Sequence, residues 1–288
     1  MINPGPKSLA WVAGAGGLIG NYLLQTAPAQ APDWRVIGLR RAQFDLTDFQ
    51  AVRLALREQM PALVIHCAAL SNSNACQANP TLARKLNVEV TAMLADLAAD
   101  IPFIFFSTDL VFDGGSGNYD ESAPVNPLMV YAETKVAAET IVLANPKHTV
   151  VRTSLNGGTS PAGNRSFNEQ MRLAWHAGET LKLFADEFRC PIPAVVTARA
   201  VWELARQNRP GLYHVAGRER LSRIEIGQLM AARWPQLHPH LAPTSVKDYQ
   251  DMPRAADTSL HCAKVQRLLP FPLAGLNEWL AENPSAEF

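Results

Sequence analysis

The stretch Val12-Ala13-Gly14-Ala15-Gly16-Gly17-Leu18-Ile19-Gly20 joins two apolar runs, Leu9 to Val12 before it and Leu18, Ile19, Tyr22, Leu23 and Leu24 after it. Apolar run, glycine turn and new apolar run read as strand, tight turn and helix. Glycine at 14, 17 and 20 lets the backbone approach a pyrophosphate closely. The phosphate charge then meets the free N–H groups and positive dipole end of the helix that opens at Leu18 and Ile19.

Outward from this turn, strands and helices alternate. Pro28 and Pro32 break the chain after the first helix, and Arg35-Val36-Ile37-Gly38-Leu39 reads as a second buried strand. In NAD-binding units an acidic residue near the end of this strand bonds the ribose 2′-OH. Here Arg40-Arg41 stands in that place, with no carboxylate before Asp45. Guanidinium groups pair with a 2′-phosphate that a carboxylate would repel, so the expected cofactor is NADP(H) in preference to NAD(H). Thr47-x-x-Gln50 has capping-box spacing and opens a helix with Phe49, Val52 and Leu56 on one face, placing Asp45-Leu46 beside the adenine pocket. Leu63 to Ala69 is the next strand, ending in the small residues Ala68 and Ala69. Leu86, Val90, Met93, Leu94 and Leu97 repeat at helical spacing, with Asn87 as a polar exception. Phe103 to Phe106 forms a strand ending in Ser107-Thr108-Asp109, and His148 to Arg152 forms another. The pattern implies an α/β fold: a Rossmann-like, doubly wound parallel sheet covered by helices on both faces. Its cofactor-binding domain spans residues 1–152, and Gly14, Ala68 and Thr108 fall at the carboxyl ends of strands, where such sheets bind ligands.

Beyond Arg152 the alternation weakens. Leu155 to Arg165 reads as a loop, followed by helices at Phe167–Ala177 and Val196–Gln207 and a short strand at Tyr213–Ala216. Ser222-x-x-Glu225 is a second capping box, opening a helix over Ile224–Trp234. Pro235–Pro253 reads as loop-rich, and two helices follow near Leu260–Leu269 and Leu273–Asn283. Residues 153–288 are thus a smaller, partly helical lobe that supplies substrate contacts, with segments free to return to the main sheet.

Composition bounds the functional classes. The chain has 288 residues, 48% of them hydrophobic, with 26 basic and 26 acidic side chains. That balance offers no electrostatic footprint for nucleic acid or an anionic membrane. No apolar run is long enough to span a bilayer, and residues 1–20 lack signal-peptide features, so a soluble cytoplasmic protein is expected. Cys67, Cys76, Cys190 and Cys262 are scattered, without disulfide or zinc spacing. His238 and His240 flank a proline in what reads as an exposed loop, and no metal site is expected. His66 and His214 sit within apolar strands and read as satisfied core residues.

The chemistry lies in Tyr131-Ala132-Glu133-Thr134-Lys135, which places a phenol and an ammonium one helical turn apart. A nearby positive charge lowers a phenol's pKa, making it a proton donor and acceptor near neutrality. Lys135 could also reach ribose hydroxyls of the cofactor, and Thr108 supplies a hydroxyl to a substrate carbonyl. Together with Gly14-x-x-Gly17-x-x-Gly20, this set resembles the extended short-chain dehydrogenase/reductase superfamily. Ser107-Thr108-Asp109-Leu110-Val111-Phe112-Asp113-Gly114, Tyr119-Asp120-Glu121-Ser122 with Pro124 and Pro127, and Val151-Arg152-Thr153-Ser154 resemble its dTDP-4-dehydrorhamnose reductase branch. Gly211 to Gly217, and Arg254 with Asp257 and Ser259, extend the likeness into the smaller lobe.

The resemblance implies an NAD(P)H-dependent reductase of a keto group on a nucleotide-linked sugar. Thr108, Tyr131 and Lys135 would be catalytic, with Tyr131 the proton donor. Gly14, Gly17, Leu18, Ile19, Gly20, Arg40, Arg41, Asp45, Leu46, Ala68, Ala69, Asn87 and Lys135 would hold the cofactor, and Asp109 would line the sugar pocket. Arg165 and Arg189 could grip an anionic group of the substrate, although pairing with Asp186 or Glu187 is an equal expectation for an arginine there. The family often forms dimers, so a homodimer is expected. The chain departs from the branch after Ser154: Leu155-Asn156-Gly157-Gly158 replaces an aromatic segment. A reductase of another, non-nucleotide ketone stays open on these residues, and two rival readings follow from the same resemblance. One is a non-catalytic NADP-binding regulatory subunit like the methionine adenosyltransferase beta subunit. The other is a sugar-nucleotide epimerase or dehydratase, for which Asp109 offers only one of two needed carboxylates. The coenzyme reading is tested by titration: Arg40→Glu with Arg41→Ala should weaken NADPH binding more than NADH binding, and equal losses would refute it.

Overall fold

The innermost strands have almost no exposed surface, as continuous apolar runs require. The computed structural model describes residues 7–249, 252–286 and 288. In chain order the first half runs β1 (Ser8–Ala13), α1 (Leu18–Gln30), β2 (Trp34–Leu39), α2 (Phe49–Gln59), β3 (Leu63–His66), α3 (Ser73–Ala78), α4 (Pro80–Arg84), α5 (Val90–Leu97), β4 (Phe103–Thr108), α6 (Val130–Leu143) and β5 (His148–Thr153). A π-helical turn, Lys85–Glu89, links α4 to α5. The second half adds β6 (Asn156–Gly157), α7 (Phe167–His176), β7 (Thr180–Phe184), β8 (Phe188–Arg189), β9 (Ile192–Pro193), α8 (Ala194–Gln207), β10 (Gly211–Val215), β11 (Leu221–Ser222), α9 (Arg223–Arg233), β12 (His240–Thr244), α10 (Ala263–Gln266) and α11 (Leu276–Glu282).

The main sheet has the order β2-β1-β3-β4-β5-β10, with every neighbouring pair parallel. Helices cover both faces. On one, Leu23 of α1 packs with Val201, Trp202 and Leu204 of α8, and the Trp202 indole donates to the Leu23 carbonyl at 3.1 Å. On the other, Val52, Val90, Leu94, Ala138 and Val142 of α2, α5 and α6 pack on Trp11, Phe103 and Phe105. Segment Ala194–Val215, from the second half of the chain, therefore belongs to the main sheet layer, as α8 and β10. The smaller lobe has its own core, built from Phe167, Met171, Trp175, Leu183, Ile226, Met230, Leu276 and Phe288.

Three local expectations need correction. Asp48, not Thr47, caps α2: its carboxylate accepts from Ala51 N–H at 3.0 Å, while the Thr47 hydroxyl is held by Asp45. Within the stretch read as loop-rich, His240–Thr244 is a strand, paired in parallel with β7; Pro243 is tolerated on this two-stranded edge. Residues 250–251 of that stretch lie outside the described residues. The helix expected over Leu260–Leu269 shortens to Ala263–Gln266. The capping box at Ser222/Glu225 forms as expected, and Ser166/Glu169 forms another that the reading passed over. No helix among the described residues is long and apolar enough to cross a membrane.

Strand order reverses at β1, which lies between β2 and β3, and the crevice this opens at the strands' carboxyl ends begins at Gly14. Its φ is +89°, and a Cβ there would lie 2.5 Å from the Ala68 nitrogen. A Cβ on Gly20 would lie 2.4 Å from the Gly14 oxygen. The turn thus folds against β3 and α1 at distances only glycine permits. Gly14→Ala should lower the unfolding free energy by about 1–3 kcal/mol in urea titration; an unchanged midpoint would show that the two backbones separate freely.

Candidate active site

The glycine turn presents an open cradle. Gly17 caps α1 without a side-chain hydrogen bond, leaving the first-turn N–H groups of Leu18 and Ile19 facing the turn. A Cβ on Gly16 would meet no atom within 4 Å, so that side of the turn is open. Next to the turn lies a pocket lined by Gly14, Leu39, Arg41, Phe44, Asp45, Leu46, Thr47, Ala68, Ala69, Leu86 and Val90. Its walls are mostly apolar, with Arg41 and Asp45 as the charged exceptions. Thr47 bonds Asp45 through its N–H and hydroxyl, both at 2.9 Å, and these bonds hold the carboxyl below its usual pKa. Arg41 and Lys85 add positive charge nearby. Arg40 is exposed and does not line the pocket. A dinucleotide fits this donor set: an open helix N-terminus for its diphosphate and an apolar slot with an adjacent guanidinium for its adenosine end.

Asn87 lies in the π-helical turn before α5. It is 1% exposed, accepts from Leu70 N–H at 2.8 Å, and donates to the Leu70 carbonyl and the Thr134 hydroxyl at 3.1 and 3.0 Å. Both amide hydrogens are engaged within the protein. Asn87 therefore braces the chain after β3 against α6.

The catalytic candidates converge at the carboxyl end of β4. Tyr131 and Lys135 project from α6 and are 9% and 4% exposed. Helical spacing adds a third residue to their face, Glu139, which sequence reasoning missed although its i+4 offset from Lys135 was available. Glu139 and Arg152 of β5 form a buried bidentate pair at 3.0 and 2.7 Å, which fixes the rotation of α6. His214 of β10 lies 3.4 Å from the same guanidinium. Lys135 Nζ donates to the Phe106 carbonyl at 2.7 Å and lies 4.4 Å above the Phe105 ring. Burial lowers its pKa to about 8, against the opposing pull of Glu139.

The phenol departs from expectation. Burial, reinforced by the Asp109 carboxylate, pushes the Tyr131 pKa up, with Thr108 and Arg189 pulling it part of the way back. In this conformation the ammonium is turned onto Phe106, so desolvation prevails.

Asp109 is fully enclosed. Arg189 grips it through Nε at 2.6 Å and Nη2 at 2.5 Å, and the Ser154 hydroxyl donates at 2.6 Å. The carboxylate expected to line a sugar pocket is thus paired inside the protein, with Arg189 as its partner. Arg165 is exposed on its loop, and its backbone N–H donates to Glu169. Glu169, buried and unremarked in the sequence reading, also accepts from Ser160 and Ser166, while Tyr22 of α1 accepts from Thr159 N–H at 3.1 Å. The loop over 156–166 is thereby tied to the cofactor-side helix.

A parallel sheet with a glycine turn at its switch point, and a Tyr-x-x-x-Lys helix beside a strand-end threonine, define an extended short-chain dehydrogenase/reductase, a class of oxidoreductases. More narrowly, the chain belongs to the RmlD substrate-binding domain family, whose sequence model matches residues 10–283. It is 32% identical over 237 residues to a probable low-salt glycan biosynthesis reductase of Haloferax volcanii, covering 76% of this chain and 78% of the relative. It is 27% identical over 279 residues to methionine adenosyltransferase 2 subunit beta of Xenopus laevis, covering 91% and 83%. Among solved structures, a dTDP-4-dehydrorhamnose reductase of Bacillus anthracis, in complex with NADP, superposes with a TM-score of 0.87 at 22% identity over 96% and 98% of the two chains.

Two buried histidines give the site region a pH signature. His66, bonded to the Thr91 hydroxyl at 3.1 Å, and His214, beside Arg152, are both held near pKa 3 by burial, against an ordinary 6.5. A depressed folded-state pKa means their stabilisation is complete above about pH 6.5 and lost as pH falls toward 3. Each contributes a slope of about 1.4 kcal/mol per pH unit in that window. Chemical denaturation across this range should show falling stability, with a shallower fall in His214→Gln; identical slopes would contradict the assignment.

Proposed function

We propose that this chain is an NADPH-dependent reductase of a keto group on a nucleotide-linked sugar. The observation that carries this reading is the convergence of Thr108, Tyr131 and Lys135 at the carboxyl end of β4, beside the crevice that Gly14 and Ala68 open. Gly14, Gly17, Leu18, Ile19 and Gly20 would cradle the cofactor diphosphate. Arg41, Leu46, Ala68 and Ala69 would enclose the adenosine end, with Arg40 and Arg41 favouring a 2′-phosphate. When bound, the nicotinamide supplies the hydride.

The residues of the chain supply the proton and the geometry. Tyr131, with its pKa raised, is a protonated phenol at neutral pH, suited to giving a proton to a carbonyl oxygen that gains negative charge. Thr108 sits beside the phenol and would hold it in place, its own hydrogen being on Asp109. Lys135, charged below about pH 8, can turn from Phe106 to ribose hydroxyls and then lower the barrier to proton release. Substrate class rests on the motif likeness to dTDP-4-dehydrorhamnose reductases, and the glycan biosynthesis reductase supports it. Asp109, locked by Arg189, leaves no free carboxylate beside Thr108 for dehydration.

A second reading, a non-catalytic NADP-binding subunit, is favoured by the similarity to methionine adenosyltransferase 2 subunit beta across 91% of the chain. Both readings meet the same test, NADPH consumption with a panel of 4-keto nucleotide sugars. Turnover that Tyr131→Phe lowers by ~10³-fold, with NADPH affinity retained, is the expected result. Tight NADPH binding without turnover on any member of the panel would favour the subunit reading.

A further inference from the structure

The Asp109 carboxylate gathers its partners from distant parts of the chain. Arg189 comes from β8 in the smaller lobe, Ser154 from the end of β5, and Thr258 (3.4 Å) from the segment before α10. Its remaining neighbour is catalytic: the Thr108 hydroxyl donates to Asp109 Oδ1 at 3.2 Å and accepts from Leu110 N–H at 3.2 Å. Ser154 Oγ also accepts from Cys190 N–H at 3.2 Å, one residue beyond Arg189, so the arginine's backbone is tied to the same point. With its hydrogen on Asp109 and one lone pair on Leu110, the Thr108 oxygen keeps a single direction free. Tyr131 belongs to the small apolar cluster on which Leu110, the residue whose N–H holds that hydroxyl, packs.

We propose that Arg189 is a positioning residue: reaching from the smaller lobe, it clamps Asp109 and through it fixes the Thr108 hydroxyl against the Tyr131 phenol. The clamp is bidentate, with Nε and Nη2 on separate carboxylate oxygens, so it sets the plane of the carboxylate as well as its position. A carboxylate free to rotate would carry the threonine hydrogen with it. The lobe that holds the substrate thereby also sets the geometry of the proton donor. This inference deepens the reductase reading and rests on it for its kinetic arm.

Two measurements test it. Removal of Arg189 alone would strand a buried charge, so the variants are Arg189→Lys, which keeps the charge but loses the fork, and Asp109→Asn with Arg189→Gln, which removes both charges. The first measurement needs no substrate: [¹³Cζ]tyrosine NMR of the folded protein, with the Tyr131 signal identified from Tyr131→Phe. The signal should move or broaden in both variants. If it stays at the wild-type position in both while they remain folded, the proposal is overturned, whatever the enzyme's activity. The second is a double-mutant cycle. Arg189→Lys should lower kcat about 10–100-fold with cofactor KM unchanged, but by less than about two-fold when Thr108 is already valine. Equal losses in both backgrounds would show that Arg189 does not act through Thr108. Absence of turnover with every substrate would count against the reductase reading and leave the spectroscopic result to decide the clamp.

Discussion

At the switch point of the sheet, two backbones lie closer than any side chain would allow. Gly14 sits against Ala68, and Gly20 closes on Gly14 from the first helix. This contact draws the carboxyl ends of β1 and β3 together and points the start of α1 into the crevice between them. A helix N-terminus without a side-chain cap, an apolar slot beside it and the end of β4 all take their places from that approach. The glycine cradle and the Tyr131–Lys135 helix face share one edge of the sheet because the strands are parallel and their carboxyl ends are aligned.

Buried ion pairs then fix what the sheet brings together. Glu139–Arg152 locks the face of α6 that carries Tyr131 and Lys135, and Asp109–Arg189 ties the end of β4 to the smaller lobe. Such pairs add little net stability, because removing two charges from water costs about as much as their attraction returns. Their effect is on specificity: breaking either would leave a charge without a partner in a dry interior. The helix face that carries Tyr131 and the end of β4 are thus held from both halves of the chain.

The main sheet was legible because its strands are continuous apolar runs between glycine and proline punctuation. Leu63 to His66 and Phe103 to Thr108 could hardly be read otherwise. β12 was hidden by its prolines and by the absence of any apolar run, and its pairing with β7 is a contact between distant segments. The cap of α2 went to Asp48 instead of Thr47 because Asp45 competes for the threonine hydroxyl, a contest that spacing alone does not display. In the candidate site, Thr108, Tyr131 and Lys135 were singled out by order and spacing, and Glu139 could have been added by one more helical turn. Asp109 and Asn87 were read as ligand contacts, and their partners within the protein, Arg189 and Leu70, are set by tertiary folding that spacing does not display.

The central claim is that this site moves a hydride onto a carbonyl carbon with Tyr131 supplying the proton. Its most direct test uses NADPH deuterated at the transferring C4 position, incubated with 4-keto nucleotide sugars, with the products read by mass spectrometry and NMR. The account predicts one deuterium on the new carbinol carbon. Tight binding of the labelled cofactor with the label left in place across the whole panel would contradict it.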